Sequence, residues 1–193
     1  MANWAATCYI VTGDKEQLKQ LHDVMVELEN MKSPGLHDNG FGSTWLFGNL
    51  VIKLGGDWEK VYCRGYWNYL ELKDDMLIID SETAWSELDE LRHFIESKYP
   101  GLKIYYQCVE EGQGIYITND ASGVYFPDRY YLWVEDEDTE YYQSLESLAK
   151  AVENITGSKH LTTLNSCRKA LESFSRKHHQ CCYTLEEFTV TDD

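Results

Sequence analysis

The strongest constraint on the fold is a β-hairpin pattern that lies between two amphipathic helices. Residues 15–30 and 86–99 carry leucines at helical spacing. Between them, residues 60–72 are rich in Val, Tyr and Trp, Lys73-Asp74-Asp75 suits a turn, and residues 76–83 suit a returning strand. Parallel strands require crossover connections instead of tight hairpins. The pattern therefore argues against a parallel doubly wound sheet.

Further strand patterns lie on both sides of this hairpin. Residues 6–12 alternate between two faces, and Asp14 is a good N-cap for the first helix, as Ser86 is for the second. The order of elements predicts an α+β fold with a ferredoxin-like split βαβ sheet and both helices on one face. The term describes shape alone, since no iron–sulfur ligand spacing is present. The other extended segments are 49–54, which also suits a helical turn, 102–109, 114–119 and 125–135.

The pattern changes after residue 135. Asp136-Glu137-Asp138 resembles a solvated connector, and two helical stripes follow, the first ending before Gly157. Residues 184–190 suit a closing strand. We therefore predict a core over residues 1–135 and a C-terminal two-helix extension over 136–193, packed on that core.

The charge balance restricts the kind of partner. The 193 residues include 33 acidic and 17 basic side chains, a formal net charge of −16, spread along the whole chain. Such a field repels phosphate backbones, so we do not expect direct nucleic-acid binding. Two interpretations of the acidity remain, a solvated surface and an acidic surface that attracts a basic partner.

Targeting and redox signals favour the cytoplasm. The N-terminus lacks the basic region and apolar run of a signal peptide, and no stretch approaches the roughly 20 apolar residues that span a bilayer. The 6 cysteines have no framework spacing. We expect a cytoplasmic protein that has no membrane partner.

Three short motifs carry a family resemblance over about residues 1–135. They are Asn3-Trp4 before the first strand, Gly65-Tyr66-Trp67 in the hairpin, and Thr83-Ala84-Trp85-Ser86 before the second helix. Together they resemble the YubB-type family of ferredoxin-like domains, which are uncharacterised proteins of plasmids, phages and other mobile elements. The resemblance implies a fold and a mobile-element setting but no reaction. Ala5 stands where many members carry cysteine, and Tyr66 where they carry lysine.

Polar and aromatic residues of the hairpin form the first candidate site. Asp80 and Glu82 share a strand face, and Arg64 and Trp67 lie on the strand that precedes them. An enzyme or small-ligand binder could assemble a site from these four residues. No nucleophile elbow or phosphate-binding loop accompanies them, so we lean against an enzyme and assign no catalytic residue and no cofactor.

The second candidate is a surface for another protein. Tyr131 and Trp133 share one face of the extended segment 125–135, and Glu135 and Asp136 follow. Tyrosine and tryptophan frequently anchor partners at interfaces. With no catalytic set present, the leading hypothesis is a non-enzymatic protein-interaction or regulatory module of a mobile element.

A metal site near the C-terminus is the least supported candidate. His178, His179, Cys181 and Cys182 are ligand types that zinc prefers. Adjacent residues point apart on a helix or strand, and the usual two-residue gap between cysteines is missing. The alternative is a helix end whose histidines interact with the helix dipole, followed by half-buried cysteines. We assign no metal.

Overall fold

The computed structural model describes residues 2–31, 46–135, 138–178 and 181–192. The chain divides into two units, one that runs to Asp120 and a second that spans Ala121–Thr191. Both combine helices with an antiparallel sheet, which confirms the predicted α+β class.

The described residues of the first unit form five strands and three helices. The strands lie side by side in the order β2-β3-β1-β4-β5, and each neighbouring pair is antiparallel. The elements are β1 (Trp4–Gly13), α1 (Lys15–Asn30), α2 (Leu46–Lys53), β2 (Gly65–Lys73), β3 (Met76–Ala84), α3 (Asp89–Lys98), β4 (Leu102–Glu110) and β5 (Ile115–Thr118). The ambiguous segment 49–54 is therefore mostly helical, as part of α2.

The three helices cover one face of this sheet. Side chains alternate along β1, so that Tyr9 and Val11 are buried beneath the helices while Cys8 and Ile10 point to the other face. We call the face opposite the helices the second face. The buried layer is completed by residues of the helices and of β3 and β4, among them Leu18, Leu21, Met25, Leu28, Leu50, Leu77, Leu91, Ile95 and Ile104.

The N-terminus of α1 matches the sequence prediction, whereas that of α3 does not. Asp14 caps α1 by accepting a hydrogen bond from the Gln17 amide at 2.9 Å. The predicted cap Ser86 lies too early, because α3 begins at Asp89. The amide of Leu88, the residue before the helix, donates instead to the Tyr9 hydroxyl at 3.0 Å. The Tyr9 hydroxyl thus pairs one amide at the start of a helix that has no side-chain cap.

A buried ion pair lies beside this helix start. The Arg92 side chain is 4% exposed, and its Nη2 lies 3.5 Å from Oε1 of Glu87, which is also buried. The same nitrogen donates to the Asp89 carboxylate at 2.8 Å, and the guanidinium lies 5.3 Å from the centroid of the Tyr106 ring. The core of the first unit therefore contains a charged pair held by several partners.

Gly13 ends β1 in a conformation that demands glycine. Its φ is +127°, and a Cβ built there would lie 2.1 Å from the Gly101 carbonyl oxygen. The approach lets the Asp14 amide donate to that oxygen at 3.1 Å. The tight contact joins the start of α1 to the start of β4.

We expect Gly13→Ala to lower the free energy of unfolding by about 1–3 kcal/mol, because the added methyl group forces the backbone to shift. Gly55→Ala is the matched control, since Gly55 also has a positive φ, +75°, but no atom lies within 4 Å of the position that its Cβ would take. Urea denaturation of both variants checks the prediction. Equal losses would show that conformation alone, and not the contact with Gly101, requires the glycine.

In the second unit the described residues include a three-stranded sheet and two helices. The sheet order is β7-β6-β8, and Leu132 and Val134 of β6 share a buried cluster with helical residues such as Leu148 and Leu171. The elements are β6 (Tyr130–Val134), β7 (Glu140–Tyr142), α4 (Leu145–Thr156), α5 (Leu164–Lys177), β8 (Tyr183–Glu187) and β9 (Thr189–Val190).

The predicted domain boundary at 135/136 needs correction. The first unit ends at Asp120, and β6 pairs with β7 and β8, so residues 121–135 belong to the C-terminal unit. This unit has its own sheet and is more than a two-helix extension. The predicted helices are present, and Gly157 ends α4 in the left-handed conformation with a φ of 70°.

Candidate functional site

The hairpin places only part of the predicted site on one face. Trp67 lies opposite Ser81, and Asp80 and Glu82 alternate with Ser81 along β3. The Trp67 ring is 2% exposed beneath the helices, and its Nε1–H donates to Glu29 of α1 at 2.6 Å. Trp67 is therefore a core residue, and its predicted grouping with Asp80 and Glu82 is wrong.

A local irregularity in β2 decides which tyrosines accompany the carboxylates. The register shifts between Trp67 and Tyr69, so that Tyr66 lies opposite Glu82 and Tyr69 opposite Asp80. An extra residue in one strand changes the side-chain alternation beyond it. Both tyrosines thus accompany the acidic residues on the second face, on either side of the buried Trp67.

Four side chains at one end of the second face form a connected group, which we call the Trp4 cluster. It comprises Trp4, Arg64, Tyr66 and Glu82. The Trp4 and Tyr66 ring centroids lie 5.9 Å apart, and the Tyr66 hydroxyl donates to Glu82 Oε2 at 2.6 Å. The Arg64 guanidinium lies 5.8 Å from the Trp4 ring centroid, within cation–π range. Arg64 and Glu82 were predicted from sequence, and the structure adds the two aromatic rings between them.

A second exposed tryptophan, Trp85, lies next to Trp4 at the end of the sheet. Trp4 lies opposite Ala84 in the sheet, and the next residue, Trp85, donates its amide to the Asn3 carbonyl at 2.9 Å. Trp85 has a φ of 74°, the left-handed region that bulky side chains avoid. Such strain costs about 1–3 kcal/mol and concentrates at functional positions. The fold therefore holds the exposed Trp85 in a backbone conformation that tryptophan disfavours.

The strain at Trp85 can be measured with two substitutions. Trp85→Ala removes the indole but keeps the Cβ that disfavours a positive φ, whereas Trp85→Gly removes both. We expect the glycine variant to have the higher free energy of unfolding, by about 1 kcal/mol. Urea denaturation gives the difference. An alanine variant as stable as the glycine variant would mean that the position is not strained.

The environment of the cysteine beside Asp80 disfavours its thiolate form. Cys8 lies opposite Asp80 in the sheet. Burial raises the pKa of the Cys8 thiol far above its ordinary value, and a hydrogen bond with Asp80 raises it further. A thiol that stays protonated reacts poorly, because the thiolate is the reactive form.

The hydrogen bond with Glu82 likewise raises the pKa of the Tyr66 hydroxyl, and burial raises it further.

Neither carboxylate lines the following three cavities of the described residues. One, of about 580 Å³, lies along the loop before β2 and is lined by Trp58, Tyr62 and Arg64 with Glu90. A void of about 20 Å³ lies in the first core, and a cavity of about 220 Å³ lies between β6, β7 and α4 of the second unit. On the second face Asp80 is exposed and Glu82 is half-buried.

The second face also carries the acidic side chains of Asp80 and Glu82. Some acids of the first unit have basic partners, as in Glu27 with Lys53 at 2.7 Å and Asp75 with Lys15 at 2.5 Å. Within the described part of the chain, neither Asp80 nor Glu82 forms an ion pair with a basic side chain. The sequence up to Asp120 holds 20 acidic against 10 basic residues, compared with 11 against 7 in residues 121–191.

The predicted surface on β6 is largely inside the second unit. Tyr131 is 2% exposed, and its ring packs against Tyr141, with centroids 5.4 Å apart. Trp133 is half-buried, while Glu135 is exposed and accepts a hydrogen bond from the Cys182 amide at 2.9 Å. Asp136 lies outside the described residues. Tyr131 is therefore a packing residue and not a contact for a partner.

The C-terminal His and Cys residues do not assemble a metal site in the described ranges. His178 stacks on Phe174 with ring centroids 4.1 Å apart. His179 lies outside the described residues. Among the residues that the structure covers, no group of three or more His, Cys, Asp or Glu side chains could hold a metal ion.

Comparisons with known proteins define no family for the chain. No family model and no curated protein matches it. Among solved structures it is similar to the crystal structure of an unknown protein from Galdieria sulphuraria, with 10% identity, coverage of 98% of this chain and 100% of that chain, and a TM-score of 0.28. That score does not define a shared fold.

In the described ranges, no helix has the length and apolar character needed to cross a bilayer.

Proposed function

We propose that the chain is a non-enzymatic protein-interaction or regulatory module that acts in the cytoplasm and belongs to a mobile element. The cytoplasmic and mobile-element settings rest on the scattered cysteines and on the resemblance to the YubB-type family. The interaction role rests on the exposed aromatic residues of the first unit.

We further propose that the first unit is a ferredoxin-like domain. In that fold two βαβ halves place four strands in an antiparallel sheet, with the two helices on one face. The strand order β2-β3-β1-β4, with α1 after β1 and α3 after β3, supports this assignment. The helix α2 and the strand β5 are additions to it.

The observation that carries the interaction role is the concentration of exposed aromatic side chains between residues 4 and 85. Trp4, Tyr62, Tyr69 and Trp85 are 41–46% exposed, whereas Tyr141 is the one comparable aromatic among the described residues of the second unit. Tryptophan and tyrosine dominate the binding energy of protein interfaces. Exposing such side chains, one of them on a strained backbone, is best explained by a partner that covers them.

An enzyme or small-ligand site around Trp67, Asp80 and Glu82 has less support. Trp67 lies on the opposite face of the sheet from both carboxylates. Neither carboxylate borders the three cavities described above. A ligand of this kind would gain little burial on such a surface.

Affinity capture from cells that carry the native gene tests the proposal. The bait is the tagged full chain, compared with its Trp4→Ala/Trp85→Ala variant and with Tyr141→Ala as a control of equal aromatic exposure. A protein retained by the wild type and by the Tyr141 variant, but lost with the double variant, supports the role. Identical retention by all three baits would contradict it.

A further inference from the structure

We infer that the partner presents a basic, extended segment whose arginine or lysine side chains contact the Trp4 cluster and Asp80; this inference rests on the proposed interaction role. The chain itself provides the first indication. The Arg64 guanidinium already lies 5.8 Å from the Trp4 ring centroid, so the ring accepts a cation. The Glu82 carboxylate, which accepts a hydrogen bond from the Tyr66 hydroxyl, adds a negative group beside the same rings.

Charge complementarity indicates the sign of the charge that the partner carries. Asp80 and Glu82 have no basic ion-pair partner in the described ranges, and both lie on the second face, where the side chains of β3 alternate away from the buried core. An acidic ligand would be repelled by both carboxylates and by the twofold excess of acidic over basic residues in the sequence up to Asp120. Like-charge contacts at an interface are costly, and complementary charges fix the register. A basic segment is the partner that this surface fits.

The spacing of the carboxylates points to an extended segment. Asp80 and Glu82 are two residues apart on β3, which places their side chains on the same face. That spacing corresponds to about 7 Å along a strand. An extended partner whose basic residues occupy alternate positions presents its charges at the same interval.

Arg64 distinguishes a basic partner from an acidic one. If a partner arginine uses the Trp4 ring, Arg64 competes for the ring and repels the incoming charge. Arg64→Gln then removes a competitor and strengthens binding, by about two- to fivefold for one exposed cation–π contact. If an acidic partner binds instead, Arg64 is an attractive contact and its loss weakens binding.

The test uses a synthetic ten-residue peptide of alternating arginine and serine, titrated by fluorescence anisotropy into the full chain at roughly physiological salt. We expect Asp80→Asn/Glu82→Gln to weaken binding about fivefold, since both substitutions keep shape and remove charge. The control, Glu16→Gln, removes one charge from the exposed surface of α1, the helix that covers the opposite face, and should change binding less than about twofold.

Three results would overturn the inference: no binding to wild type, equal losses in the double variant and the Glu16 control, or weaker binding by Arg64→Gln. A second peptide with the same arginines in one block tests the alternation, and equal affinity for both peptides would reject an extended register. These results leave the capture experiment unaffected. A partner that depends on Trp4 and Trp85 while the arginine peptide fails would retain the interaction role and reject only its basic chemistry.

Discussion

Replacement of Arg92 by alanine is expected to lower the free energy of unfolding of the first unit by about 3–5 kcal/mol. Arg92 and Glu87 are both buried, with 3.5 Å between Nη2 and Oε1. Removing the guanidinium leaves the carboxylate in the core without that partner and also removes the contact with the Tyr106 ring. Breaking a buried pair from one side is costly because the remaining charge stays desolvated.

Urea denaturation followed by tryptophan fluorescence measures this loss. Trp133 belongs to the second unit and the other tryptophans precede Asp120, so the signal reports mainly on the first. Arg176→Ala is the control, because Arg176 forms an exposed pair with Glu172 on α5 and should change stability by less than about 1 kcal/mol. The double variant Arg92→Met/Glu87→Leu should recover most of the loss, since apolar residues often replace buried pairs at little cost. A loss in Arg92→Ala no larger than in Arg176→Ala would mean that the pair does not stabilise the core.

The second large effect concerns binding. We expect Trp4→Ala/Trp85→Ala to weaken the affinity for the captured partner at least about 30-fold, which corresponds to about 2 kcal/mol, the usual threshold of an interface hot spot. Both indoles are more than 40% exposed and leave the chain at the same end of the sheet. A partner that covers them would gain most of its apolar contact area there. Isothermal titration with the purified partner gives the ratio of dissociation constants.

The double variant should remain folded, because neither indole is part of the buried core. Its far-ultraviolet circular dichroism should therefore match that of wild type. Tyr141→Ala, which removes an equally exposed ring from the second unit, should leave the affinity within about twofold. A folded double variant with wild-type affinity would reject the tryptophans as the binding surface.

The sequence predicted those features that depend on local pattern. Alternation along β1, the Asp14 cap and the turn at Asp74 are local properties, and the structure has each of them. The position of Trp67 depends instead on the register of a strand pair. A regular hairpin register continued from the turn would place Trp67 opposite Glu82. The irregularity after Trp67 places it opposite Ser81 instead, on the other face of the sheet from both carboxylates.

Strand pairing also explains why the domain boundary and the β6 surface could not be predicted. The segment 125–135 has the pattern of one more extended segment after the β4–β5 hairpin, but its strand pairs with β7 and β8. That pairing buries Tyr131 against Tyr141, and no local pattern distinguishes this burial from exposure. The Trp85 conformation is equally nonlocal in origin, since its amide binds the carbonyl of Asn3, a residue near the start of the chain.

Site-specific photo-crosslinking tests the interaction role most directly. Benzoylphenylalanine replaces Tyr69, which faces Asp80 on the second face, or Tyr141 of the second unit, and the two positions have similar exposure. After irradiation of cells that carry the native gene, we expect a discrete crosslinked protein from position 69 and none from position 141. A discrete adduct from position 141 alone, or none from position 69, would contradict a binding surface on the second face.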